Sequence, residues 1–365
     1  MSLPVSNSVD TYKLQKLFDN MSECYKLFWF KGIVDLVFEG KNELTYNQII
    51  DKMIAETWYM VCEYKLNLGP NDTLEKLIIE ASSLTKLKSS EKEAEILKAL
   101  YSLDGKSINT MKRKLTENVP YRLLAPFLKT EQEKNWSLPH KQQALFINQN
   151  PAIIYEFVTI DGLNSKIRVR DNWSNYIKDN FDIIKGWIDY NTIKYLQKRN
   201  PSVPAISDKL TAPGKRDLSK PTLYWKAVIE STDLHDIYIG NSLTVNELSI
   251  DHFIPWSYVC HDELWNLVPT IKRVNSSKSN NLPDLNTYLE KLSEMEYQAF
   301  DLTRTNYKVK AAFIKCADKH INDESIRRTL YREEIDKIEF SNRLKEIIEP
   351  IYNSAIRLGF DIWKG

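Results

Sequence analysis

The sequence predicts a mainly helical α+β fold. Apolar residues recur at helical spacing through most of the 365 residues, and glycine and proline are few, at 10 and 14. Runs rich in β-branched and aromatic residues are confined to two stretches, 152–171 and 236–254. We therefore expect a small β-containing unit embedded between an N-terminal helical module with a β-hairpin and a C-terminal helical region.

The N-terminal helical module is predicted over residues 1–128. Apolar spacing indicates one helix over residues 11–40 and a second that starts at the capping residue Thr45 and ends at Gly69. Residues 71–102 are typical of two more helices. The later of these begins with the pattern Ser90 to Glu93, which predicts a capping box.

A connecting region and a linker are predicted next. In the connecting region, residues 129–200, two strand-like runs flank the turn Asp161–Ser165 and predict a β-hairpin, and helical spacing returns over 172–200. Residues 201–222 carry four prolines and little periodicity, which is typical of a linker. Its Lys215 and Arg216 form either a solvated surface or a phosphate-contacting approach to the next unit.

A compact β-rich unit that ends in a helix is predicted over residues 223–285. Two strand candidates lie within residues 236–255 and are joined through Gly240 and Asn241. Residues 286–365 are predicted to be helical and to pack on this unit. Helical periodicity after Pro283 falls into three segments: 285–303, 308–322 and 327–360.

Composition limits the classes of protein to which the chain can belong. The hydrophobic fraction of 42% and the charged fraction of 27% are ordinary for a globular protein. The formal net charge is +1, so no global basic field indicates a polyanionic partner. Any nucleic-acid surface must therefore be a local patch on a balanced molecule.

Cysteine spacing and hydropathy further limit the classes of protein to which the chain can belong. The four cysteines are far apart and form no CxxC pair, so neither a disulfide framework nor a structural zinc site is expected. The chain starts without a basic, then apolar, leader and contains no stretch of about 18 apolar residues. The sequence therefore predicts a cytoplasmic protein without a membrane span.

Residues 248–283 contain the side chains that phosphodiester hydrolysis requires. Asp251 and the side-chain carbonyl of Asn275 can supply oxygen ligands to a hard cation such as Mg²⁺. A neutral His252 is a suitable general base at neutral pH, and Lys278 can hold a phosphate as a point charge. In a regular strand Asp251 and His252 point to opposite faces, and a bend at Pro255 or at the strand end would let both reach one substrate from different sides.

Each of these residues also has a purely structural interpretation. Taken alone, Asp251 fits a turn cap and His252 fits a packed core histidine. Asn275 alone fits a helix N-cap, and Lys278 fits a solvated helix face. The functional interpretation depends on the four occurring together in one short segment.

The polar stretch between the two halves of this pattern contains Asp262 and Glu263. These two residues are predicted to cap or bracket a short helix. His261 beside them is expected to be exposed. His320, far downstream, has no partner that the sequence identifies.

Residues 220–285 resemble an HNH, or ββα-metal, endonuclease domain. The pattern is similar to that of the HNH domain of RNA-guided CRISPR nucleases and of other members in which the third letter is Asn. An Asp-His-x-x-Pro core, an Asn-Leu-Val and an Asn-x-x-Lys-Ser occur in order at family spacing. The resemblance implies that Asp251 and Asn275 bind a metal ion and that His252 is the general base. It implies that Asn266 braces the loop that carries the base.

Two departures from the family pattern bear on this expectation. The zinc-binding cysteine pairs of many members are absent, so hydrophobic packing must hold the unit together. The last metal ligand is Asn, a neutral oxygen donor that favours Mg²⁺ over Zn²⁺ or Ni²⁺. Upstream, the run Asp236–Gly240 resembles the family's first strand.

The resemblance implies a metal-dependent endonuclease that cuts DNA, with Mg²⁺ as the cofactor and Mn²⁺ as a substitute. RNA cleavage is left open. An alternative is a catalytically degenerate HNH module that binds nucleic acid and acts through partner proteins. The expected nucleic-acid contacts are Lys278, Lys215, Arg216, Lys272 and Arg273.

The remaining expectations concern partners. No GxxxxGK[ST] phosphate loop occurs, so any nucleotide-driven motor would be a separate ATPase or sensor subunit. Cutting two strands with one active site would favour a homodimer. A helical module in front of an HNH unit suits the effector of a bacterial anti-phage defence or restriction system, an association drawn from architecture alone.

Overall fold

The mainly helical α+β fold predicted from the sequence is confirmed by a computed structural model, which describes residues 2–212 and 214–365. The described residues divide into two compact units, one of residues 2–201 and 206–212 and one of residues 202–205 and 214–365. Among these residues, every helix is too short or too polar to cross a lipid bilayer. The two units are described in turn.

The first unit contains ten α-helices and a small sheet within the described residues. The helices are α1 (Thr11–Gln15), α2 (Tyr25–Phe38), α3 (Tyr46–Trp58), α4 (Thr73–Thr85), α5 (Glu93–Ser102), α6 (Lys106–Thr116), α7 (Val119–Arg122), α8 (His140–Asn148), α9 (Asp171–Asp179) and α10 (Phe181–Arg199). The strands are β1 (Glu43–Thr45), β2 (Tyr155–Thr159) and β3 (Lys166–Val169).

The predicted hairpin is present as β2 and β3, which pair antiparallel around a short 3₁₀ turn at Gly162–Asn164. A third strand, β1, pairs antiparallel with the other side of β3, so that Glu43 lies opposite Arg168. Strand β1 was not predicted, because three residues are too few to show the alternation that marks a strand.

The prediction of one continuous helix over residues 11–40 is wrong, because the structure has two helices there. Helix α1 ends at Gln15 and α2 begins at Tyr25, and the residues between them form turns and bends. Asp19, Asn20 and Ser22 lie in this break. Short polar side chains of this kind compete with the helix for backbone hydrogen bonds, which explains the interruption.

Helix capping was predicted correctly at one position and wrongly at another. Thr45 caps α3 and forms a reciprocal capping box with Gln48. The helix does not run to Gly69, however, because it passes into a π turn at Tyr59–Glu63 and then ends. The predicted box from Ser90 to Glu93 is absent, since the residue at the N-cap of α5 is Lys92, whose side chain makes no capping bond.

Two other predicted helices are interrupted. The segment 172–200 is broken at Asn180, which separates α9 from α10. The segment 327–360 is broken between Thr329 and Lys337, where Asp336 caps a new helix by accepting a hydrogen bond from the Glu339 amide. Asn180 ends one helix and starts the next, whereas the second break runs from Leu330 to Asp336; apolar periodicity continues across both.

The second unit contains seven α-helices and a two-stranded sheet within the described residues. The helices are α11 (Ser219–Ile229), α12 (Trp256–Val259), α13 (Lys272–Lys278), α14 (Leu285–Thr305), α15 (Tyr307–His320), α16 (Glu324–Thr329) and α17 (Lys337–Arg357). The strands β4 (Leu248–His252) and β5 (Leu267–Ile271) pair antiparallel, with Leu248 opposite Ile271 and His252 opposite Leu267.

The first strand predicted for this unit, over Asp236–Gly240, is wrong. These residues form a tight turn in which the Asp236 carboxylate accepts a hydrogen bond from the Tyr238 amide at 2.8 Å, and the Gly240 amide bonds back to the Asp236 carbonyl. An aspartate that bonds to the backbone two residues ahead favours a turn over a strand. The second strand of the sheet is instead β5, which the sequence analysis did not predict.

Large apolar side chains hold the β4–β5 sheet and its helix together. Trp225 of α11 is fully buried and donates its indole N–H to the Leu267 carbonyl at 3.0 Å. Phe253 and Ile254, just after β4, are also fully buried. Because α13 packs across β4 and β5, the strand end at His252 and the helix end at Lys278 are brought to one place.

Candidate active site

Strand β4 presents Asp251 and His252 to different surroundings. Both residues are almost completely buried, at 3% and 5% exposure. Adjacent residues of a strand point to opposite faces, and the partners of the two side chains differ accordingly. Asp251 contacts Tyr238 and Lys278, whereas His252 contacts Asp262 and Arg216.

The Asp251 carboxylate has a cation built in beside it. Lys278 Nζ lies 3.0 Å from Oδ2 and 3.2 Å from Oδ1, and the Tyr238 hydroxyl donates to Oδ2 at 2.7 Å. The same ammonium donates to the His252 carbonyl at 2.6 Å and is fully buried. Burial lowers the pKa of Lys278, an effect that the Asp251 charge only partly offsets. Lys278 is therefore directed at Asp251 and not at the solvent surface.

The partners of His252 fix its tautomer. Its Nε2 lies 2.7 Å from the Asp262 carboxylate, and its Nδ1 lies 3.3 Å from the Arg216 guanidinium. An ionised carboxylate only accepts hydrogen bonds and a guanidinium only donates them. A neutral ring with its proton on Nε2 satisfies both partners, so Nδ1 carries the lone pair.

The surroundings also hold the imidazole neutral. Burial lowers the pKa of His252, and the hydrogen bond to Asp262 raises it by a smaller amount. The nearby charge of Arg216 lowers the pKa further. Because the net direction is downward from the ordinary value, the ring is uncharged at neutral pH and is able to accept a proton.

Asn266 braces the chain just beyond His252. Its side-chain Oδ1 accepts from the Ile254 amide at 2.7 Å and its Nδ2 donates to the Ile254 carbonyl at 2.9 Å. Its own carbonyl accepts from the Phe253 amide at 2.9 Å. Asn266 is fully buried, so these three bonds hold the two residues that follow His252 without competition from water.

Helix α13 brings Asn275 beside β4. The side-chain Nδ2 donates to the Ser249 hydroxyl and to the Ile250 carbonyl, both at 2.9 Å. Ile250 immediately precedes Asp251, so the amide lies next to the backbone that carries the carboxylate. Because the nitrogen is used in these two bonds, the carbonyl oxygen Oδ1 is the atom left to act as a ligand.

The donors at this place fit a hard divalent cation in type and number. Mg²⁺ binds through one or two protein oxygens and completes its shell with water and phosphate, which suits one carboxylate and one amide carbonyl. Among residues 2–212 and 214–365, no group of three or more His, Cys, Asp or Glu side chains is arranged to hold a metal ion. A cation bound to Asp251 would have to share the carboxylate with Lys278 or displace it.

The basic residues predicted to contact nucleic acid are distributed differently. Lys272 and Arg273 are exposed at the start of α13, and Lys215 is exposed in the irregular segment before α11. Arg216 lies in the same segment, and its guanidinium is 5.3 Å from the ring centre of Trp256 as well as near His252. Arg216 is thus the residue of this set whose side chain contacts the His252 imidazole.

Sequence reasoning missed two residues of the site. Tyr238 was assigned to a strand, whereas the turn at Asp236 directs its hydroxyl to Asp251. Asp262 was predicted to cap or bracket a helix, but its carboxylate bonds His252 and its carbonyl accepts from His320 at 2.7 Å. The only sign of this contact in the sequence is that Asp262 follows His252 by ten residues. That spacing alone does not determine the path of the loop between them.

Comparison with known proteins supports the assignment of this segment. Residues 236–284 match the family model of the HNH endonuclease. This segment of the chain is similar to that family. The matched segment spans the turn at Asp236, strands β4 and β5, α13 and the chain up to α14. Asp251 and His252 lie within it, as do their partners Tyr238, Lys278 and Asp262, whereas Arg216 precedes it. No curated protein and no solved structure matches the chain.

Proposed function

We propose that the protein is a metal-dependent endonuclease that hydrolyses phosphodiester bonds of DNA. The arrangement around His252 carries this proposal. A buried imidazole that is neutral, oriented on one nitrogen by a carboxylate and left with a lone pair on the other is what a general base for water requires. The HNH match of residues 236–284 supports the same reaction class.

His252 would accept a proton from the attacking water at Nδ1. Arg216 now lies 3.3 Å from that nitrogen, so the guanidinium must turn away before water can reach it. A DNA phosphate is the natural competitor for a guanidinium, because phosphate accepts two parallel hydrogen bonds from it. Substrate binding would therefore uncover the base and hold the scissile group beside it.

Asp251 and Asn275 would hold Mg²⁺, with Mn²⁺ as a substitute. When bound, such an ion polarises a phosphoryl oxygen and stabilises the leaving oxygen. Tyr238 would orient the Asp251 carboxylate through its hydrogen bond. Asn266 would keep the chain after His252 rigid, so that the base stays in register with the ligands.

Exposed cations near the site would position the DNA backbone. Lys272 and Arg273 lie on the first turn of α13, and Lys215 lies beside Arg216. Phosphate contacts of this kind set the register of a protein on a duplex without reading its sequence. Lys278 is fully buried, so its contact with a phosphate would require it to leave Asp251.

The test is cleavage of supercoiled plasmid by the full-length protein with Mg²⁺, Mn²⁺ or chelator. We expect nicked and linear products with the wild type and none with His252→Ala, while both bind DNA with similar affinity. The matched control is His235→Ala, an exposed histidine of the same unit, which should cut as the wild type does. Plasmid that stays intact with wild-type protein and every divalent cation would refute the proposal.

One observation favours a second candidate, a non-catalytic HNH module that binds nucleic acid for partner proteins. The Lys278 ammonium occupies the carboxylate on which a metal ion would depend, and both groups are buried. If this pair never opens, DNA binding would persist and cleavage would not occur. Titration calorimetry with Mg²⁺ separates the two candidates, because the nuclease requires a binding signal that Asp251→Asn abolishes.

A further inference from the structure

Asp262 is not one of the residues of the HNH pattern, yet its side chain makes a short hydrogen bond with His252, the proposed general base. Its Oδ1 lies 2.7 Å from His252 Nε2, and the two side chains are 21% and 6% exposed. Burial raises the pKa of this carboxyl, but its hydrogen bond with His252 and the neighbouring positive charges lower it more, so the net direction is downward. Asp262 is therefore ionised at neutral pH and can only accept.

The loop that carries Asp262 is fastened by the end of α15. The buried His320 donates from Nδ1 to the Asp262 carbonyl at 2.7 Å. Asn322 donates its backbone amide to both oxygens of Glu263 at 3.1 Å and its side-chain amide to one of them at 2.6 Å. Glu263 is itself buried, so the loop is tied at two consecutive residues.

These fastening residues lie outside the segment that matches the HNH family. That segment ends at residue 284, whereas His320 and Asn322 follow it by more than thirty residues of helix. The same compact unit contains both parts. The helices after α13 thus do more than cover the sheet, because they set the position of a group in contact with His252.

We infer that Asp262 is a positioning residue for His252 and that the C-terminal end of α15 completes the site by holding it. This inference rests on the proposed nuclease function. Asp262 holds the ring with its proton on Nε2, which keeps the lone pair on Nδ1 facing Arg216 and, in the complex, the water. His320, Asn322 and Glu263 hold Asp262 in reach.

An amide at position 262 separates this role from simple packing. Asparagine has the same shape as aspartate, but its NH₂ can donate to Nε2 and so move the ring proton to Nδ1. That tautomer cannot take a proton at Nδ1. In serine proteases an equivalent Asp-to-Asn exchange leaves the geometry intact and lowers kcat about 10⁴-fold through the wrong tautomer.

The experiment measures single-turnover DNA cleavage by Asp262→Asn, Asp262→Glu and the control Asp318→Asn, which removes an exposed carboxylate from α15. We expect Asp262→Asn to lower the rate by at least about 100-fold with unchanged DNA affinity. Asp262→Glu, which keeps an acceptor-only group, should recover part of the rate. Asp318→Asn should match the wild type.

Nitrogen-15 NMR of the five histidines gives a readout that packing alone would not move. The His252 resonances, assigned by their loss in His252→Gln, should show the Nε2–H tautomer in the wild type and a shift toward Nδ1–H in Asp262→Asn. Asn322→Ala should lower the cleavage rate and broaden or shift the same resonances. The NMR measurement of the His252 tautomer does not depend on nuclease activity.

Three results would overturn the inference. They are a cleavage rate for Asp262→Asn within a few-fold of that for Asp318→Asn, an unchanged His252 tautomer in folded Asp262→Asn, and no effect of Asn322→Ala on either readout. Failure of the proposed function is distinguishable, because a wild type that cuts nothing would still show whether Asp262 sets the His252 tautomer.

Discussion

The ammonium of Lys278 lies 3.0 Å from Oδ2 of Asp251, and the two side chains are 0% and 4% exposed. A buried ion pair contributes little net stability compared with an apolar pair, but breaking it leaves one charge uncompensated. The stability of residues 236–284, the segment that matches the HNH model, therefore depends on a positive charge next to the Asp251 carboxylate. The divalent ion proposed to bind Asp251 would have to share the carboxylate with Lys278 or displace it.

Replacing Lys278 by methionine tests this relationship. In metal-free buffer, Lys278→Met should lower the free energy of unfolding by about 3 kcal/mol, because Asp251 is left as a buried, unpaired carboxylate. Mg²⁺ should restore part of the loss by supplying the missing positive charge and binding only the folded state. Urea unfolding with and without Mg²⁺ measures both effects.

The double variant Asp251→Asn/Lys278→Met is the control for that experiment. It removes both charges, so it should be less destabilised than Lys278→Met and should gain nothing from Mg²⁺. Lys337→Met removes an exposed ion pair with Glu294 and should change stability little. Equal losses in the single and double variants, with no response to Mg²⁺, would contradict the proposed role of the pair.

The sequence identified the core residues that lie together at this site better than it identified their surroundings. Asp251, His252, Asn266 and Asn275 follow a fixed spacing, because two paired strands and the next helix leave few ways to place them. Tyr238 and Asp262 have no such constraint. Their side chains reach the site through a turn and a loop whose paths depend on contacts with distant residues such as His320.

The same distinction explains the errors in the fold. Apolar spacing identified most helices, since it reflects the face that packs on the core. It did not identify where α1 gives way to α2, or where α16 gives way to α17, because periodicity continues across those breaks. Strand β5 escaped prediction because its residues, including Pro269, are almost all buried and show no alternation.

Asn266→Ala should impair both stability and activity. The substitution removes two hydrogen bonds to the Ile254 backbone and leaves that amide and carbonyl buried without partners, which costs about 2–4 kcal/mol. The loosened chain after His252 should also lower the cleavage rate. Thermal unfolding and plasmid cleavage measure the two effects.

A matched control for that variant is Asn342→Ala, which removes an exposed amide from α17. It should leave both measurements close to the wild type. Asn266→Asp keeps the acceptor for the Ile254 amide, and at low pH its protonated carboxyl also supplies a donor for the Ile254 carbonyl, so at low pH its stability should fall between those of the wild type and Asn266→Ala. Wild-type stability in Asn266→Ala would show that the brace is dispensable.

The exposed cations of α13 should govern the salt dependence of DNA binding. If Lys272 and Arg273 each contact one phosphate, the double variant Lys272→Gln/Arg273→Gln should reduce the slope of log K against log salt by about 2 units. The control Lys308→Gln/Lys315→Gln removes two exposed lysines from α15, outside the HNH segment. Fluorescence anisotropy over a salt series should show the wild-type slope for the control, and an unchanged slope in the α13 variant would exclude these contacts.

The pH dependence of stability should carry the signature of Asp35 in the first unit. Burial, together with the nearby Glu56, raises the pKa of this carboxyl from 3.8 to about 7. The charges of Lys185 and Lys31 lower this pKa by a smaller amount, and Lys31 is itself paired with Glu56 at 2.8 Å and with Asp189 at 3.1 Å.

The sign of the Asp35 effect follows from proton binding. Between pH 3.8 and about 7 the folded state keeps a proton that the unfolded state releases, so the free energy of unfolding falls as pH rises through this window and then levels off. Asp35→Asn cannot ionise and should therefore become more stable relative to the wild type as pH increases. Urea unfolding at a series of pH values measures the difference, with Asp179→Asn, an exposed carboxylate of α9, as the control. Parallel pH profiles for the wild type and Asp35→Asn would contradict the prediction. They would show that the pKa of Asp35 is the same in the folded and unfolded states, so that the charges of Lys31 and Lys185 offset the effect of burial.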